Sequence, residues 1–513
     1  MENTDRKADS NVRKAGVLLP ISSLPSPWGI GALGAAAREF IDFLAAAGQS
    51  FWQILPLGPT SYGDSPYQSF SSWAGNPYFI DLDDLAAEGL LERQEYQRLN
   101  WGEDPARVDY GLLYKTRYPV LRKACARLLE RGDARFHSFC LGEADWLEDY
   151  ALFMALKERF DGRSWQEWPQ PIRLREPAAL EAARTQLAGE VNFWRGVQYL
   201  FCQQWKKLKS YANEKGVSIL GDLPIYTALD SADVWASPKQ FQLDDRGCPT
   251  EVAGCPPDAF SEDGQLWGNP LFDWERMKRD GYQWWLHRVG YQLCLYDALR
   301  IDHFRGFESY YAIPYGDTTA RNGRWRPGPG LDFFQAVNSA LGKQNIVAED
   351  LGFLTPEVHR LLEETGYPGM KVLEFAFGSR ELGSAYLPHC YPTNCVVYTG
   401  THDNDTIRGW MASAPRKEAA FAKEYLRLSR GEGYHWGMMR AAWASPAGLA
   451  VVQMQDLLGL GSEARMNIPS TLGGNWQWRA LPGSYGPKLA RRLHREMKVY
   501  QRLPSQNENG GPR

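Results

Sequence analysis

GVLLPISSLPSPWGIGALGAAAREFIDFLAAAGQSFWQIL, residues 16–55, contains the pattern that decides the fold. Its first apolar run, Gly16–Pro20, is typical of a short strand, and Phe51–Leu55 repeats that character. Between them, Ala35–Ala47 places its large apolar side chains on one face of a helix, and Gly48 ends that helix. A strand, a helix and a second strand in this order predict a βαβ unit with parallel pairing.

The same unit returns along the chain, each time with a polar group after the strand. Strands predicted at 217–220, 298–301, 346–348 and 395–398 are followed by Asp222, by Asp302, by Glu349 and Asp350, and by His402 and Asp403. In a (β/α)8 barrel the chemistry takes place at the carboxyl ends of the strands. The pattern therefore predicts an α/β protein with a TIM-type (β/α)8 barrel, and an open, doubly wound sheet remains the alternative.

Three segments do not follow the βα repeat, and we expect them to be insertions in the loops above the barrel. They cover about residues 81–190, 231–280 and 406–458, and the first and third are helical in character. As helical or irregular subdomains they would wall a cleft. The barrel with its insertions is predicted over 16–503, with a disordered leader at 1–15 and a flexible tail at 504–513.

Composition excludes several classes of partner. The 513 residues include 57 Lys and Arg against 61 Asp and Glu, a formal charge of −4. A broad nucleic-acid surface or an anionic-membrane anchor requires a basic excess, so neither is expected. The chain shows no secretory signal and no run of 18 apolar residues, which predicts a cytoplasmic protein. Its 20 Trp, 25 Tyr and 22 Phe fit either a large aromatic core or carbohydrate binding.

The most concentrated chemical signal is RIDHFRGF, residues 300–307, in which Asp302 lies between Arg300 and Arg305. A guanidinium beside a carboxylate favours the ionised form. An ionised and oriented carboxylate is what the nucleophile of glycoside chemistry requires. The competing interpretation is a buried Arg–Asp network that only holds the end of a strand.

Glu349 in the segment IVAEDLG is the second candidate. Adjacent residues of a strand point to opposite faces, so Glu349 and Asp350 cannot both face the barrel centre. A glutamic acid in a crowded apolar cleft has a raised pKa and can act as a general acid. Alone it would be assigned a structural role, but with Asp302 it forms the pair that retaining glycoside chemistry needs, expected about 5–5.5 Å apart.

His402 and Asp403 lie in TGTHDNDT, a polar loop after a buried strand. These side chains can bind sugar hydroxyl groups, and a Mg²⁺ or Zn²⁺ site is the alternative. Cys248 and Cys255 could form a metal pair, but no second Cys or His pair lies nearby in the sequence. The GxGxxG match at 29–34 is separated from its strand by a Pro-containing stretch, so a loop is favoured over nucleotide binding.

Seven blocks of sequence together resemble one enzyme family. They are LLPISSLPSPWGIGALG (18–34), SYGDSPYQ (61–68), GDLPIY (221–226), RIDHFRGF (300–307), AEDLG (348–352), YTGTHDNDT (398–406) and ARMNIPSTLGGNWQWR (464–479). This pattern is similar to that of the amylomaltases and disproportionating enzymes of glycoside hydrolase family 77. The resemblance extends over essentially the whole chain after residue 15.

The resemblance implies roles for ten residues. Asp302 would be the nucleophile, Glu349 the general acid and base, and Asp403 the transition-state stabiliser. Those that would bind the glucan are Ser65, Tyr67, Asp222, Arg300 and His402 beside the cleaved bond, and Asp258 and Phe260 on a flexible loop.

The activity that the resemblance implies is 4-α-glucanotransferase activity. Segments of α-1,4-glucan would pass between maltooligosaccharides or starch by a retaining double displacement, without a cofactor. The motifs do not exclude water as the acceptor, so a retaining α-amylase-like hydrolase remains an alternative. A catalytically silent glucan-binding protein is the alternative from another class.

Overall fold

The structure is a computed structural model that describes residues 13–61, 63–257, 262–378 and 385–504. The described strands are β1 (Lys14–Leu18), β2 (Phe51–Gln53), β3 (Ser218–Leu223), β4 (Glu251–Cys255), β5 (Gln265–Pro270), β6 (Ala298–Ile301), β7 (Ser309–Pro314), β8 (Arg324–Pro327), β9 (Ile346–Ala348), β10 (Gly369–Val372), β11 (Cys395–Tyr398) and β12 (Leu449–Gln453). They form an eight-stranded parallel sheet and a four-stranded antiparallel sheet.

The described α-helices surround these sheets. They are α1 (Ala35–Ala46), α2 (Leu82–Ala87), α3 (Tyr110–Glu130), α4 (Ala134–Gly142), α5 (Ala144–Arg159), α6 (Gln170–Arg173), α7 (Pro177–Gln186), α8 (Ala188–Glu214), α9 (Ala232–Ala236), α10 (Trp274–Arg279), α11 (Gln283–Leu295), α12 (Gly330–Leu341), α13 (Pro356–Thr365), α14 (Ile407–Ser413), α15 (Arg416–Tyr425), α16 (Tyr434–Ala444), α17 (Met454–Leu458) and α18 (Pro487–Val499). Within the described ranges, none of them has the length and apolar character needed to cross a lipid bilayer.

The parallel sheet curls into a barrel. Its strands are hydrogen-bonded in the order β10-β11-β12-β1-β2-β3-β6-β9. The two end strands meet where the amide N–H of Ala348 donates to the carbonyl oxygen of Pro368 at 2.9 Å. The predicted (β/α)8 barrel is therefore confirmed, and the open doubly wound sheet is excluded.

The inside of the barrel is filled by a separate apolar cluster. All nine of its buried members come from barrel strands, namely Leu18, Leu220, Ala298, Val347, Met370, Val372, Val396, Tyr398 and Val451. The larger core lies between the strands and the surrounding helices. Apolar contact on both faces explains why these strands read as continuous apolar runs.

Three of the six predicted barrel strands have the limits that the sequence predicts. The predicted strands 298–301, 346–348 and 395–398 are β6, β9 and β11 with the same limits, and β1 begins two residues early, at Lys14. Strand β3 extends to Leu223, so Asp222 lies inside the strand rather than after it. Two barrel strands were not predicted, β10 and β12, because GMKV is interrupted by a lysine and LAVVQ lies in the range 406–458 that was assigned to a helical insertion.

The irregular segments contain their own structure. Helices α2 to α7 lie in the range 81–190, and α9, β4, β5 and α10 lie in 231–280. The antiparallel sheet, in the order β5-β4-β7-β8, joins the second range to β7 and β8, which follow β6 in sequence. The range 406–458 includes the barrel strand β12, a difference from the expected insertion, which therefore cannot extend past residue 448.

Arg502 ties the end of the chain to the bottom of the barrel. Its buried guanidinium donates to the carbonyl oxygen of Lys14 at 2.7 Å, at the start of β1. It also donates to the carbonyls of Trp443, Ser445 and Ala447 at 2.7–3.0 Å, in the segment that leads into β12. Because β1 and β12 are neighbours in the barrel, one side chain fixes the start of both strands.

We expect Arg502→Leu to lower the free energy of unfolding by about 2–4 kcal/mol, because the carbonyls of Lys14 and Ala447 lose this donor at about 1–3 kcal/mol each, whereas those of Trp443 and Ser445 keep Arg13 as a donor. Arg495→Leu, on the exposed face of α18, is the matched control and should change stability by less than about 0.5 kcal/mol. Thermal and urea unfolding of the two variants, followed by circular dichroism, make the comparison. Equal midpoints for the two variants would contradict this role of Arg502.

Candidate active site

One buried guanidinium holds two carboxylates from neighbouring strands. Arg300 on β6 is paired in register with Asp222 on β3, so their side chains point to the same side of the sheet. Arg300 Nη1 lies 2.7 Å from Asp222 Oδ1 and 2.8 Å from Oδ2, and Nη2 lies 2.9 Å from Asp302 Oδ1. Arg300 is 4% exposed, whereas the Asp302 side chain is 28% exposed.

Arg305 does not flank Asp302, contrary to the sequence prediction. His303 adopts a left-handed conformation with φ of 50°, and a 3-10 helix over Phe304–Phe307 follows it. This turn carries Arg305 away, and its guanidinium lies over the ring of Trp325, 3.8 Å from the centroid. Of the two arginines in RIDHFRGF, Arg300 forms the ion pair with Asp302.

Tyr67 and His402 complete the cluster around Asp222. The Tyr67 hydroxyl donates to Asp222 Oδ2 at 2.7 Å and lies 3.4 Å from His402 Nδ1. The Tyr67 and His402 rings stack with centroids 5.0 Å apart. Burial raises the pKa of Asp222, and the bidentate contact with Arg300 opposes that rise. The structure therefore brings together four of the predicted sugar-binding residues.

Ser65 acts within the turn that carries Tyr67. Its hydroxyl oxygen accepts a hydrogen bond from the Tyr67 amide at 3.3 Å. The same turn is closed by Ser61, whose amide and hydroxyl both donate to the carbonyl oxygen of Gln68, at 3.1 and 2.8 Å. Two further predicted residues, Asp258 and Phe260, lie outside the described residues.

Glu349 is held differently from Asp302. Its two oxygens accept hydrogen bonds from backbone amides, Oε2 from His303 at 2.7 Å and Oε1 from Leu351 at 3.0 Å. Burial raises the pKa of Glu349 to about 8, with Arg300 opposing and Asp302 adding to the rise. This agrees with the raised pKa expected from the sequence. At neutral pH the side chain carries a proton that it can donate.

Asp350 points to the opposite side of its strand, as predicted. Its Oδ1 accepts a hydrogen bond from the Met370 amide at 2.5 Å, at the seam between β9 and β10. Gly369 allows this approach, because a Cβ atom there would lie 2.6 Å from the carboxylate. Asp350 thus belongs to the barrel wall and Glu349 to the cleft.

Asp403 is anchored by groups from the segment after α17. Asn467 Nδ2 donates to Asp403 Oδ1 at 2.7 Å, and Arg465 donates to the Asp403 carbonyl oxygen at 2.6 Å. The His402 ring, whose Nε2 is 3.4 Å from Asp403 Oδ1, also packs against Trp476. The sequence analysis did not assign Asn467, Arg465 or Trp476. The only signal for them was the block ARMNIPSTLGGNWQWR, which carried the resemblance without individual roles.

A buried carboxyl group holds both ends of the loop that carries His402 and Asp403. Asp456, 1% exposed, accepts from the Thr399 hydroxyl at 2.8 Å and from the Ile407 amide at 2.7 Å. Thr399 precedes the loop and Ile407 follows it, so Asp456 fixes the span between them. The sequence analysis missed Asp456 because it missed β12, the strand that Asp456 follows.

Glu374, after β10, is another strand-end acid that the sequence did not reveal. It is buried, and its Oε1 has no hydrogen-bond partner among the residues that the structure describes. Burial raises the pKa of Glu374 well above its usual range, and Asp456 and Asp405 raise it further.

The metal alternatives find no support in the described geometry. Within residues 13–61, 63–257, 262–378 and 385–504, no three His, Cys, Asp or Glu side chains are grouped so as to hold a metal ion. His402 instead contacts Tyr67, Asp403 and Trp476.

We expect Asp456→Ala to lower kcat for the glucan chemistry implied by the sequence by about 10- to 100-fold, because a shift of about 1 Å in the Asp403 loop is enough for such a loss. Asp456→Asn should retain most of kcat, since its amide oxygen can accept from Ile407 and its NH₂ can donate to the Thr399 hydroxyl.

The matched control is Asp81→Ala. Asp81 is 5% exposed and accepts from the Asp84 amide at 2.9 Å, at the start of α2. The Asp81→Ala variant should lose about as much stability as Asp456→Ala and keep the kcat of the unmodified enzyme. Steady-state kinetics and thermal unfolding of all three variants test this, and equal kcat for Asp456→Ala and Asp81→Ala would refute the positioning role.

Comparison with known proteins agrees with this fold. A 4-alpha-glucanotransferase of Clostridium butyricum is 50% identical over 484 residues, which cover 94% of this chain and 99% of that protein. The enzyme of that name from Thermus thermophilus is 49% identical, covering 96% and 99%. The solved structure of amylomaltase from Streptococcus agalactiae in complex with acarbose superposes with a TM-score of 0.93 at 42% identity, covering 96% of this chain and all of that chain.

The sequence model of one family also matches most of the chain. It covers residues 19–483 and is described as 4-alpha-glucanotransferase. With a match of this extent and relatives at 50% identity over nearly the full length, the chain belongs to the 4-alpha-glucanotransferases of glycoside hydrolase family 77.

Proposed function

We propose that this chain transfers segments of α-1,4-glucan between maltooligosaccharides, with Asp302 as the nucleophile and Glu349 as the general acid and base. The observation that supports these roles most is the difference between the two carboxyl groups. Asp302 is paired with Arg300, whereas the pKa of Glu349 is raised to about 8. Two acids whose environments differ in this way divide the nucleophile and proton-donor roles between them.

In the first step, an oxygen of Asp302 attacks C1 of the donor sugar while Glu349 gives its proton to the departing glycosidic oxygen. The C1–O bond breaks, and a β-linked glucosyl-enzyme forms. Glu349 is then a carboxylate. In the second step it accepts the proton of the acceptor's 4-OH as that oxygen attacks C1, which restores Asp302 and the α linkage.

The other predicted residues bind the donor sugar in this proposal. Asp403 would accept hydrogen bonds from sugar hydroxyls as the ring flattens in the transition state. Asp222, Arg300 and His402 would contact the same sugar, with Ser65 and Tyr67 shaping the neighbouring wall. Asp258 and Phe260 would fold over the glucan, as the resemblance implies. Starch and maltooligosaccharides as substrates, and a cytoplasmic location, remain predictions.

The experiment that tests transfer is product analysis with maltotriose as the sole substrate. We expect glucose together with maltotetraose, maltopentaose and longer chains, because the glucosyl-enzyme is attacked by a second glucan. Glucose and maltose alone would indicate the α-amylase-like hydrolase, and unchanged maltotriose would indicate a silent binding protein. The Asp302→Asn variant, which cannot form the intermediate, is the control for contaminating activity.

A second experiment separates the two carboxyl roles. With glucans, kcat should fall as pH rises through about 8, because the pKa of Glu349 lies there and its ionised form has no proton to donate. With α-maltosyl fluoride the departing fluoride needs no proton, so glycosylation should show no such alkaline loss.

Glu349→Gln should accordingly form an adduct on Asp302 with the fluoride, visible by mass spectrometry, and turn over glucans at least about 100-fold more slowly. Asp302→Asn should form no adduct with either donor. If Glu349→Gln lost adduct formation equally with fluoride and glucan, Glu349 would not be the acid.

A further inference from the structure

We propose that Trp325 and Phe353 form an additional glucan-binding subsite on the acceptor side of the cleft, beyond the sugar next to the cleaved bond. This rests on the transfer reaction proposed above, and it adds two contacts that the resemblance does not assign. The ligand class is an α-1,4-glucan of several units, bound by stacking of its apolar faces on the two rings.

The first supporting observation is the exposure of both rings. The Trp325 side chain is 40% exposed and Phe353 is 74% exposed, although both are large and apolar. Leaving such area in water is unfavourable, and exposed apolar groups that lie together mark binding surfaces in many proteins. A single exposed ring would need no explanation, but these two are joined by one side chain.

That side chain is Arg305. Its guanidinium is centred 3.8 Å from the Trp325 ring and 5.8 Å from the Phe353 ring, and Nη1 donates to the Phe353 carbonyl oxygen. Arg305 is only 6% exposed, so cation–π contacts in a partly desolvated setting hold both rings. Trp325 and Phe353, together called the platform, are thus ordered before a ligand arrives, and this lowers the entropy lost on binding.

The second observation is the connection of both rings to the reacting carboxyl groups. Arg305 lies three residues after Asp302 in the turn that begins at His303. Phe353 lies four residues after Glu349, in the segment whose Leu351 amide binds the Glu349 carboxyl group. Trp325 lies on β8, which pairs with the strand that follows this turn.

The proposed roles of Asp302 and Glu349 indicate on which side of the cleft the platform lies. Arg300 joins Asp302 to Asp222 and thereby to Tyr67 and His402, the cluster proposed for the donor sugar. Arg305, on the other side of Asp302 in sequence, joins the nucleophile turn to the segment that follows the general acid. Glu349 protonates the oxygen of the leaving group, whose sugar occupies the acceptor side. A platform attached to the Glu349 segment therefore meets the leaving or incoming glucan.

The occupant is a neutral sugar chain rather than an anion. The one cation of the platform, Arg305, is buried, lies over the Trp325 ring and is bonded to the Phe353 carbonyl, so it presents little charge to a ligand. What reaches the solvent is aromatic surface. Sugars of a glucan offer C–H faces to such surface, and their hydroxyls remain in water at the rim.

The test uses transfer from maltotriose to acceptors of different length in the full-length enzyme. We expect Trp325→Ala and Phe353→Ala each to lower kcat/KM for maltohexaose as acceptor by about 3- to 10-fold, the range of aromatic contacts. With glucose as acceptor, which cannot reach the platform, kcat/KM should be unchanged. Trp325→Phe should keep most of the kcat/KM for maltohexaose, since an aromatic ring remains at this position.

Tyr114→Ala is the control, because Tyr114 is a 67%-exposed ring on α3 that packs on Tyr118. It should leave both acceptors unaffected. Equal losses with glucose and maltohexaose, or no loss with either, would overturn the subsite. Thermal unfolding of each variant separates loss of folding from loss of binding.

A failure of the subsite can be distinguished from a failure of the proposed function. If the unmodified enzyme makes no transfer products, glucan binding is measured by calorimetry in the Asp302→Asn background. Trp325→Ala should then weaken maltoheptaose binding by about 3- to 10-fold and leave maltose binding unchanged. Unchanged maltoheptaose affinity in that experiment would overturn the subsite independently of the reaction.

Discussion

The ion pairs of Arg300 are the interaction on which the rest of the site depends. A buried guanidinium is stable only when its charge is paired or its N–H groups are hydrogen-bonded, and Arg300 meets both conditions by binding Asp222 and Asp302 together. The two carboxylates lie on or after neighbouring strands, so the contact requires the register in which Asp222 lies beside Arg300. A slip of one residue would turn these side chains to the other face of the sheet. The position of the proposed nucleophile is therefore a consequence of strand pairing, because the register of the barrel fixes it.

The position of Glu349, the proposed acid, is fixed by backbone hydrogen bonds between β6 and β9, the next strand of the barrel. The amide of Glu349 donates to the Ile301 carbonyl oxygen, and the amide of Phe304 donates to the Glu349 carbonyl oxygen. These bonds align the end of β9 with the turn after β6, and the His303 amide then reaches the Glu349 side chain. The left-handed backbone at His303 serves two purposes. It aims that amide at the carboxyl group, and it directs Arg305 outward to Trp325 and Phe353.

Much of this could be predicted from sequence, and the exceptions have physical causes. Six barrel strands were found because a longer apolar run or a preceding helix marked them, and the acids after them followed. GMKV contains a charged residue and LAVVQ lies in the range assigned to a helical insertion, so Glu374 and Asp456 were missed with β10 and β12 although helices precede both strands. The placement of Arg305 failed because sequence spacing does not reveal a positive φ at a histidine. The contact of Tyr67 with Asp222 spans 155 residues and could be expected only through the resemblance.

The number of acids at this end of the barrel also explains why one of them can act as a proton donor. Strand-end acids accumulate at Asp222, Asp302, Glu349, Glu374, Asp403 and Asp456. Arg300 pairs with the first two, and the low dielectric of the site makes further unpaired negative charges costly. Burial accordingly raises the pKa of Glu349 to about 8 and of Asp456 to about 7, and that of Glu374 well above its usual range. Asp456 and Glu374 are buried, and Asp456 accepts hydrogen bonds from both ends of the loop that carries Asp403. The proton on Glu349 is the one that the proposed mechanism transfers to the substrate, while Arg300 pairs with the proposed nucleophile Asp302.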